Sequence, residues 1–386
     1  MDNFFQEFKK FFRKGDMVLL LLCLVTNAFG CLIIASATNA EGTLRYVVIQ
    51  IVAACLGVLM FAITSSVDAD FLSEHRLLLT GFNIFLLLLL IPFGTDNGTG
   101  NKSWLDFPLL PVNIQPAEIC KISFVLILAS VMASHQNKIS SIKSVLHIVF
   151  HMGLLVGLNM ILSRDLGVSL IFIFIFVGMA FSGGVSFIWF LIAGGFIALL
   201  WDPFYNHMLD GYQRSRIEVL FNPALDPQGV GVRHHTVRSL KSLTGGGLTG
   251  QGLFNGTRTQ TYEALFAQHT DFIFSAIGEE LGYLGCVLVL VLLFLIIGRC
   301  IYVGTRSQDY MRRMICFGAA SALIFQVLSN VGMCMGVMPV IGLTLPFISY
   351  GGSSLVSLYA MLGLVSGVYA RPAPSSHERY IRAPLK

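Results

Sequence analysis

Ten apolar runs decide what this chain can fold into. They fall at about 17–38, 46–64, 77–93, 116–134, 143–162, 166–182, 185–202, 272–297, 313–337 and 351–370. A helix needs about 20 such residues to cross the hydrocarbon of a bilayer. No water is present there to satisfy backbone N–H and C=O groups, so runs of this kind close their hydrogen bonds internally, as helices. The expectation is an all-α polytopic membrane protein of about ten transmembrane helices, with one long extracellular loop between spans 7 and 8. Composition agrees: 12% of the residues are charged, against about 25% in soluble domains. No nucleic-acid partner is expected of such a chain. The basic start (Lys9, Lys10, Arg13, Lys14) leads into a run too long for a cleaved signal peptide, so it reads as a tail before the first span.

Lys and Arg in short loops set orientation. With the N-terminus inside, fifteen fall on the inner side and three, Arg45, Lys102 and Arg164, in short outer loops. Both termini are therefore expected in the cytoplasm. The division is a tail at 1–16, a ten-helix domain at 17–370 with its outer loop at about 203–271, and a second tail at 371–386. The turns at Arg164-Asp165 and Gly183-Gly184 are very short, which predicts that the three helices they join pack as neighbours. The eight cysteines are scattered through apolar runs without a C-x-x-C pair, so no disulfide and no structural zinc is expected.

The sharpest chemistry lies at Gln268 to Gly285, Q-H-T-D-F-I-F-S-A-I-G-E-E-L-G-Y-L-G. His269-Thr270-Asp271 closes a long polar loop where it enters an apolar helix. An ionisable group there is a functional-site hypothesis by default. The loop itself carries Arg214, Arg216, Arg233, Arg238, Lys241 and Arg258. Either these are ordinary surface charge or they meet an anionic substrate. Loops of this length are usually functional.

Four stretches together resemble the SEDS family (shape, elongation, division and sporulation proteins), which includes RodA, FtsW and SpoVE. They are Trp104 to Lys121, ending Q-P-A-E-I-C-K with Gln115 and Pro116; Asp165-Leu166-Gly167; the loop through N-P-A-L-D-P-Q-G-V-G and G-G-G-L-T-G-Q-G-L to H-T-D-F-I-F and E-E-L-G; and Asn330 to Ser354, ending P-F-I-S-Y-G-G-S-S. The resemblance covers essentially the whole chain. The run N-G-T-R-T-Q-T is similar to the RodA type and lacks the G-N-S-x-Q-K expected of FtsW. There are departures. Leu265-Phe266-Ala267-Gln268 stands where the family has Leu-Pro-Glu, Lys102 lies two residues before Trp104 where an Arg is common, and Arg164 replaces the usual Pro before D-L-G.

The resemblance implies a peptidoglycan glycosyltransferase of the bacterial cytoplasmic membrane. Such proteins polymerise lipid II, the undecaprenyl-pyrophosphate-linked precursor, at the outer face, for cell-wall elongation and cell shape. Their partner is a class B penicillin-binding protein, a transpeptidase, within the elongation machinery. A lipid II flippase, a non-catalytic scaffold, and a division or sporulation role are the alternatives. A flippase would need polar residues along a path to the inner side, and spans six, seven and ten offer few.

In the family the residue matching Asp271 is essential. Glycosyl transfer onto a hydroxyl needs a base, and a carboxylate desolvated at the membrane boundary would have its pKa raised toward a useful value. Asp271 would alternatively hold a divalent cation, Mg²⁺ or Mn²⁺, on the pyrophosphate, and Asp is also a preferred helix N-cap. Glu118 and Lys121, at i, i+3 on one face, are either a structural ion pair or a polar lining of the substrate cavity. Glu279 and Glu280 are expected to be buried and inward-facing. Asp165 either caps the sixth span or faces the cavity. The loop bases are candidates for pyrophosphate contacts. The glycines at 245–247, 250 and 252 read as a flexible turn, since no G-K-[ST] follows. Pro346, Gly351 and Gly352 predict irregular, re-entrant backbone beside the catalytic loop, where Ser349, Tyr350, Ser353 and Ser354 supply hydroxyls. Trp104 and His269 are placed in the cavity wall.

Overall fold

The computed structural model describes residues 15–68, 74–95, 101–106, 114–207, 209, 211–226, 229, 231–261, 265 and 267–371. The two tails lie almost wholly outside these, as do Phe266 and the middle of the Trp104 to Lys121 stretch. The elements are α1 (Met17–Ala37), α2 (Arg45–Ser66), α3 (Arg76–Leu88, extended by a turn at Leu90–Phe93), β1 (Gly94–Thr95), β2 (Trp104–Leu105), α4 (Pro116–Ser134), α5 (Ile142–Leu162), α6 (Leu166–Ser182), α7 (Phe187–His207), α8 (Gly211–Phe221), α9 (His234–Gly245), α10 (Ile273–Arg306), α11 (Tyr310–Cys334) and α12 (Gly352–Ala370). Nine helices among the described residues are long and apolar enough to cross a membrane. A tenth, α6, is apolar and has 17 residues, the lower end of what can span. The chain is a multi-pass membrane protein, and the ten expected spans are ten helices.

Local chemistry starts these helices where the sequence changes from polar to apolar. Asp16, Ser141, Asp165 and Asp309 each accept a hydrogen bond from a backbone N–H in the first turn of α1, α5, α6 and α11. Pro116 begins α4, where its missing N–H is harmless. Asp16 also takes two bonds from Arg299 of α10, at 2.9 and 3.0 Å, tying the first span to the end of the eighth.

The interior is built on α4, α11 and α12, which are mostly buried, with α2 lying along α12. Close approach comes from small residues. A side chain at Gly363 would collide with Thr64 of α2, and one at Gly178 of α6 with Ser321 of α11.

The expectation that α5, α6 and α7 pack as neighbours holds for α5 and α6 only. The foot of α7 is fixed where Trp189 Nε1 donates to the Ser140 carbonyl at 2.9 Å and Phe190 meets Phe181 at 6.3 Å. From Leu191 to Pro203 every residue is exposed, so the helix splays outward. A short turn dictates adjacency at the turn; side chains decide the rest. This helix also runs through Pro203 to His207, beyond the expected end near 202.

Between α7 and α10 the long loop contains α8 and α9. Helix α9 lies on α10 through buried Ser239 and Ser242. Ser239 Oγ bonds Ser275 Oγ at 2.5 Å and the Cys334 carbonyl at 2.7 Å.

Candidate active site

The H-T-D segment is held by the chain around it. The N–H groups of Thr270 and Phe272 both donate to the carbonyl of Ala267, whose φ is 49°, forming a tight turn into α10. The P-F-I-S-Y-G-G stretch lies against this turn. Tyr350 N–H donates to the His269 carbonyl at 2.8 Å, and Ser349 Oγ donates to the Thr270 carbonyl at 2.6 Å while accepting from Leu345 N–H at 2.8 Å. Pro346 is buried, and Gly351 N–H reaches Gln50 Oε1 at 3.3 Å. The irregular segment thus packs beside the H-T-D turn. Ser349 is a backbone strut within it, its hydroxyl donating and accepting internally. Ser353 and Ser354 hydroxyls find no partner among the described residues.

Asp271 is half-buried, yet its carboxylate accepts no hydrogen bond from any described residue. It does not cap α10: the capping position is Phe272, and no side chain bonds the first turn. The carboxylate faces Gly342, where a side chain would meet Oδ2 at 3.6 Å. Gly342 itself has φ 71°, a left-handed conformation glycine adopts without strain. Desolvation pushes the Asp271 carboxyl up to about 6, with Arg216 pulling it down and Asp165 pushing it up.

Asp165 therefore belongs to the same site. Its Oδ1 caps α6 through Val168 N–H at 3.1 Å, and its Oδ2 accepts from Ser103 Oγ at 3.2 Å and Gln115 Nε2 at 3.3 Å. The cap is present, and the charge of the carboxylate acts on Asp271. Burial raises its own carboxyl, and Glu118 adds to the rise. Arg164 just before it has φ 55°, out of reach of a proline ring locked near −65°.

Glu118 and Lys121 form a buried pair at 2.8 Å, exposed by 4% and 2%. Ser357 Oγ of α12 donates to Glu118 at 2.6 Å, joining α4 to α12. The pair is closed over in this conformation.

The six loop bases make contacts in different parts of the loop and its neighbours. Arg216 donates to the Val340 carbonyl, beside Gly342, and its charge acts on Asp271. Arg214 folds back on its own segment, onto the Leu209 and Asn206 carbonyls and the Tyr205 ring. Arg233 bonds the Asp226 carbonyl. Arg238 stands near His235, whose ring lies 6.1 Å from that of Phe272. Lys241 is exposed and its carbonyl accepts from Arg258. Arg258 itself lies 3.7 Å from Glu279.

Glu279 and Glu280 are buried and fasten the loop. Glu279 accepts from the N–H groups of Arg258 and Thr259 and from the Thr259 hydroxyl, at 2.8–3.1 Å. Glu280 accepts from Ser36 Oγ at 2.5 Å and Gln260 Nε2 at 2.9 Å. Just after them α10 breaks at Gly282, with φ 66° and ψ −161°, a region essentially reserved for glycine. The freed backbone is taken up by the glycine-rich run. Gln251 and Gly252 N–H donate to the Glu279 and Glu280 carbonyls, and Tyr283 and Leu284 N–H to those of Gly247 and Leu248, at 2.9–3.2 Å. The run is a turn, as expected, but a pinned one. Gln268, one of the departures, donates to the Ala37 and Thr259 carbonyls and ties the same loop to α1.

Trp104, in β2 opposite Thr95, is half-buried. His269 sits between the rings of Tyr46 and Tyr350, at 4.5 and 5.8 Å, and desolvation lowers its pKa. Sequence reasoning singled out neither Tyr46 nor His235, which lie outside the polar-to-apolar boundary that marked Asp271.

A family model described as cell cycle protein, covering FtsW, RodA and SpoVE, matches residues 16–372. The chain is 33% identical to a probable peptidoglycan glycosyltransferase FtsW of Thiomicrospira cyclica, over 91% of this chain and 90% of that one. It is 31% identical to the peptidoglycan glycosyltransferase MrdB of Escherichia coli K12, over 92% and 93%. Among solved structures it resembles a chain of a peptidoglycan synthase complex described as coordinating polymerization and crosslinking, with TM-score 0.76 and 30% identity over 92% and 97%. The crystal structure of Thermus thermophilus rod shape determining protein RodA matches with TM-score 0.67 and 27% identity, over 92% and 96%.

Proposed function

The chain belongs to the FtsW/RodA/SpoVE family of cell cycle proteins, and on that footing we infer that it is a peptidoglycan glycosyltransferase. It polymerises lipid II into glycan strands at the outer face of the bacterial cytoplasmic membrane, with both termini inside, alongside a class B penicillin-binding protein that cross-links them. The relatives bearing on this carry that activity in their names, and a similar chain sits in a complex that joins polymerization to crosslinking. The N-G-T-R-T-Q-T run favours the RodA-type role in elongation and cell shape.

The observation that carries the chemistry is the Asp271 carboxylate: it does not cap α10, it accepts no hydrogen bond among the described residues, and burial raises it to about 6. A carboxylate so placed is mostly ionised at pH 7, yet more basic than an ordinary one and so better able to take a proton. As the acceptor sugar hydroxyl attacks the anomeric carbon of the donor, a C–O bond forms and the bond to the pyrophosphate oxygen breaks. The hydroxyl proton passes to Asp271, and the electron pair leaves with undecaprenyl pyrophosphate. Arg216 is the loop base best placed for the pyrophosphate charge. Among the described residues no three carboxylate, imidazole or thiolate groups converge as a cation cage. Mg²⁺ typically binds through one or two carboxylates and substrate phosphates, so Asp271 would share such an ion with the pyrophosphate.

The test is polymerisation of lipid II by the purified protein with its class B partner, wild type against Asp271→Asn. Glycan polymer from wild type and none from the variant is expected. Full activity in Asp271→Asn would remove the base assignment; no polymer from wild type would remove the enzyme.

A further inference from the structure

Asp271 owes its position to a residue on a different helix. Asn330, in the last two turns of α11, is fully buried. Its amide nitrogen donates to the carbonyl of Asp271 at 2.8 Å and to that of Leu343 at 2.7 Å. Both acceptors are carbonyl oxygens, so the orientation of the amide is fixed: only the –NH₂ end can face them. One turn further on, Cys334 places its Sγ 3.7 Å from the same Asp271 oxygen.

Two walls of the site therefore meet at one side chain. Leu343 follows Gly342, the residue opposite the Asp271 carboxylate. Asn330 grips the backbone of Asp271 on one side and that of Leu343 on the other, so it sets the gap in which the carboxylate stands. In a water-free interior such bonds are stronger and their loss more disruptive. Among the described residues none donates a hydrogen bond to the Asp271 carboxylate, and its direction follows from its backbone.

We propose that Asn330 is the positioning residue of the polymerase site, acting through the Asp271 carbonyl and touching no reacting atom. The proposal rests on the reading of Asp271 as the base. It requires that losing the amide lowers turnover and leaves recognition of lipid II intact. Misplacement by about 1 Å costs on the order of 100-fold in rate.

The experiment is steady-state lipid II polymerisation with the partner present, per folded molecule by size-exclusion chromatography, across pH. Asn330→Leu keeps the volume and removes both donors. The expected result is a fall in kcat on the order of 100-fold with KM within about twofold. The acid limb of the rate should also shift, because the carboxylate moves relative to Arg216 and Asp165. Asn330→Gln, which retains both N–H groups, should recover part of kcat. If Asn330→Leu does not give folded protein, Asn330→Ser, with one donor, is read by the same split. The proposal is overturned if kcat per folded molecule is unchanged, or if KM rises while the acid limb stays put. Asp271→Asn, run in parallel, separates the two failures. An inactive Asp271→Asn beside a fully active Asn330→Leu removes the positioning role alone, whereas an active Asp271→Asn removes the base itself.

Discussion

Asp165, the cap of α6, raises the proton affinity of Asp271 at the mouth of α10, and Arg216 lowers it. Two distant parts of the chain thereby tune one desolvated carboxylate, in opposite directions.

The first consequence is in pH dependence. A base works ionised, so kcat/KM should fall as pH drops through about 6. Arg216→Gln removes the charge that lowers the value and should move this limb to higher pH. Asp165→Asn keeps the cap, removes the charge that raises it, and should move the limb to lower pH. Limbs that shift together, or not at all, would contradict the arrangement.

Stability should move the other way from activity. The Asp271 carboxyl is raised in the fold above the ordinary 3.8, so between those values the folded state holds more proton than the unfolded. Stability is then lost as pH rises through that window. Asp271→Asn should melt higher than wild type at pH 7.5 in detergent, and the gain should vanish near pH 4.

Removing one member of the Glu118–Lys121 pair leaves a buried charge without its partner. Lys121→Met should cost about 3–5 kcal/mol, read as a lowered melting temperature. The double change Glu118→Gln with Lys121→Met should restore most of it. If the restored protein also polymerises lipid II, the pair is a structural tie; if it is stable and inactive, it lines the cavity.

A methyl group at Gly246 would drive into the carbonyl of Gly278. Gly246→Ala should lift the glycine run from α10 and cost about 3 kcal/mol, the upper range for overpacking. Limited proteolysis should then cut the loop near residues 245–260 faster than in wild type.

Much of this was legible in the sequence because bilayer physics leaves few choices. The fourth span runs from Pro116 to Ser134 in both sequence and structure; the ninth begins at Tyr310 and not at 313 because Asp309 supplies a cap ahead of the apolar run. Asp271 stood out as the ionisable residue at a polar-to-apolar boundary. What stayed hidden depends on tertiary contacts with backbone. Ser349 and Asn330 look like any polar residues near a site, and nothing in their spacing says that their partners are carbonyls of residues 270 and 271. Arg258 and Arg216 carry the same charge in the same loop, and only folding sends one to Glu279 and the other toward Asp271. The splay of α7 is likewise invisible in a run as apolar as its neighbours.

The break at Gly282 has a mechanical consequence. Both sides of it are bolted to the glycine run, Glu279 and Glu280 through their carbonyls upstream and Tyr283 and Leu284 through their N–H groups downstream, before the span continues to Arg306. The joint is a clamped elbow: one loop sets the direction of the long shaft and of the segment that presents Asp271 together. A lipid layer that tilts the shaft should therefore be felt at the site, so polymerisation rates in vesicles of short- and long-chain lipids should differ, and a level response would show the two arms to be uncoupled.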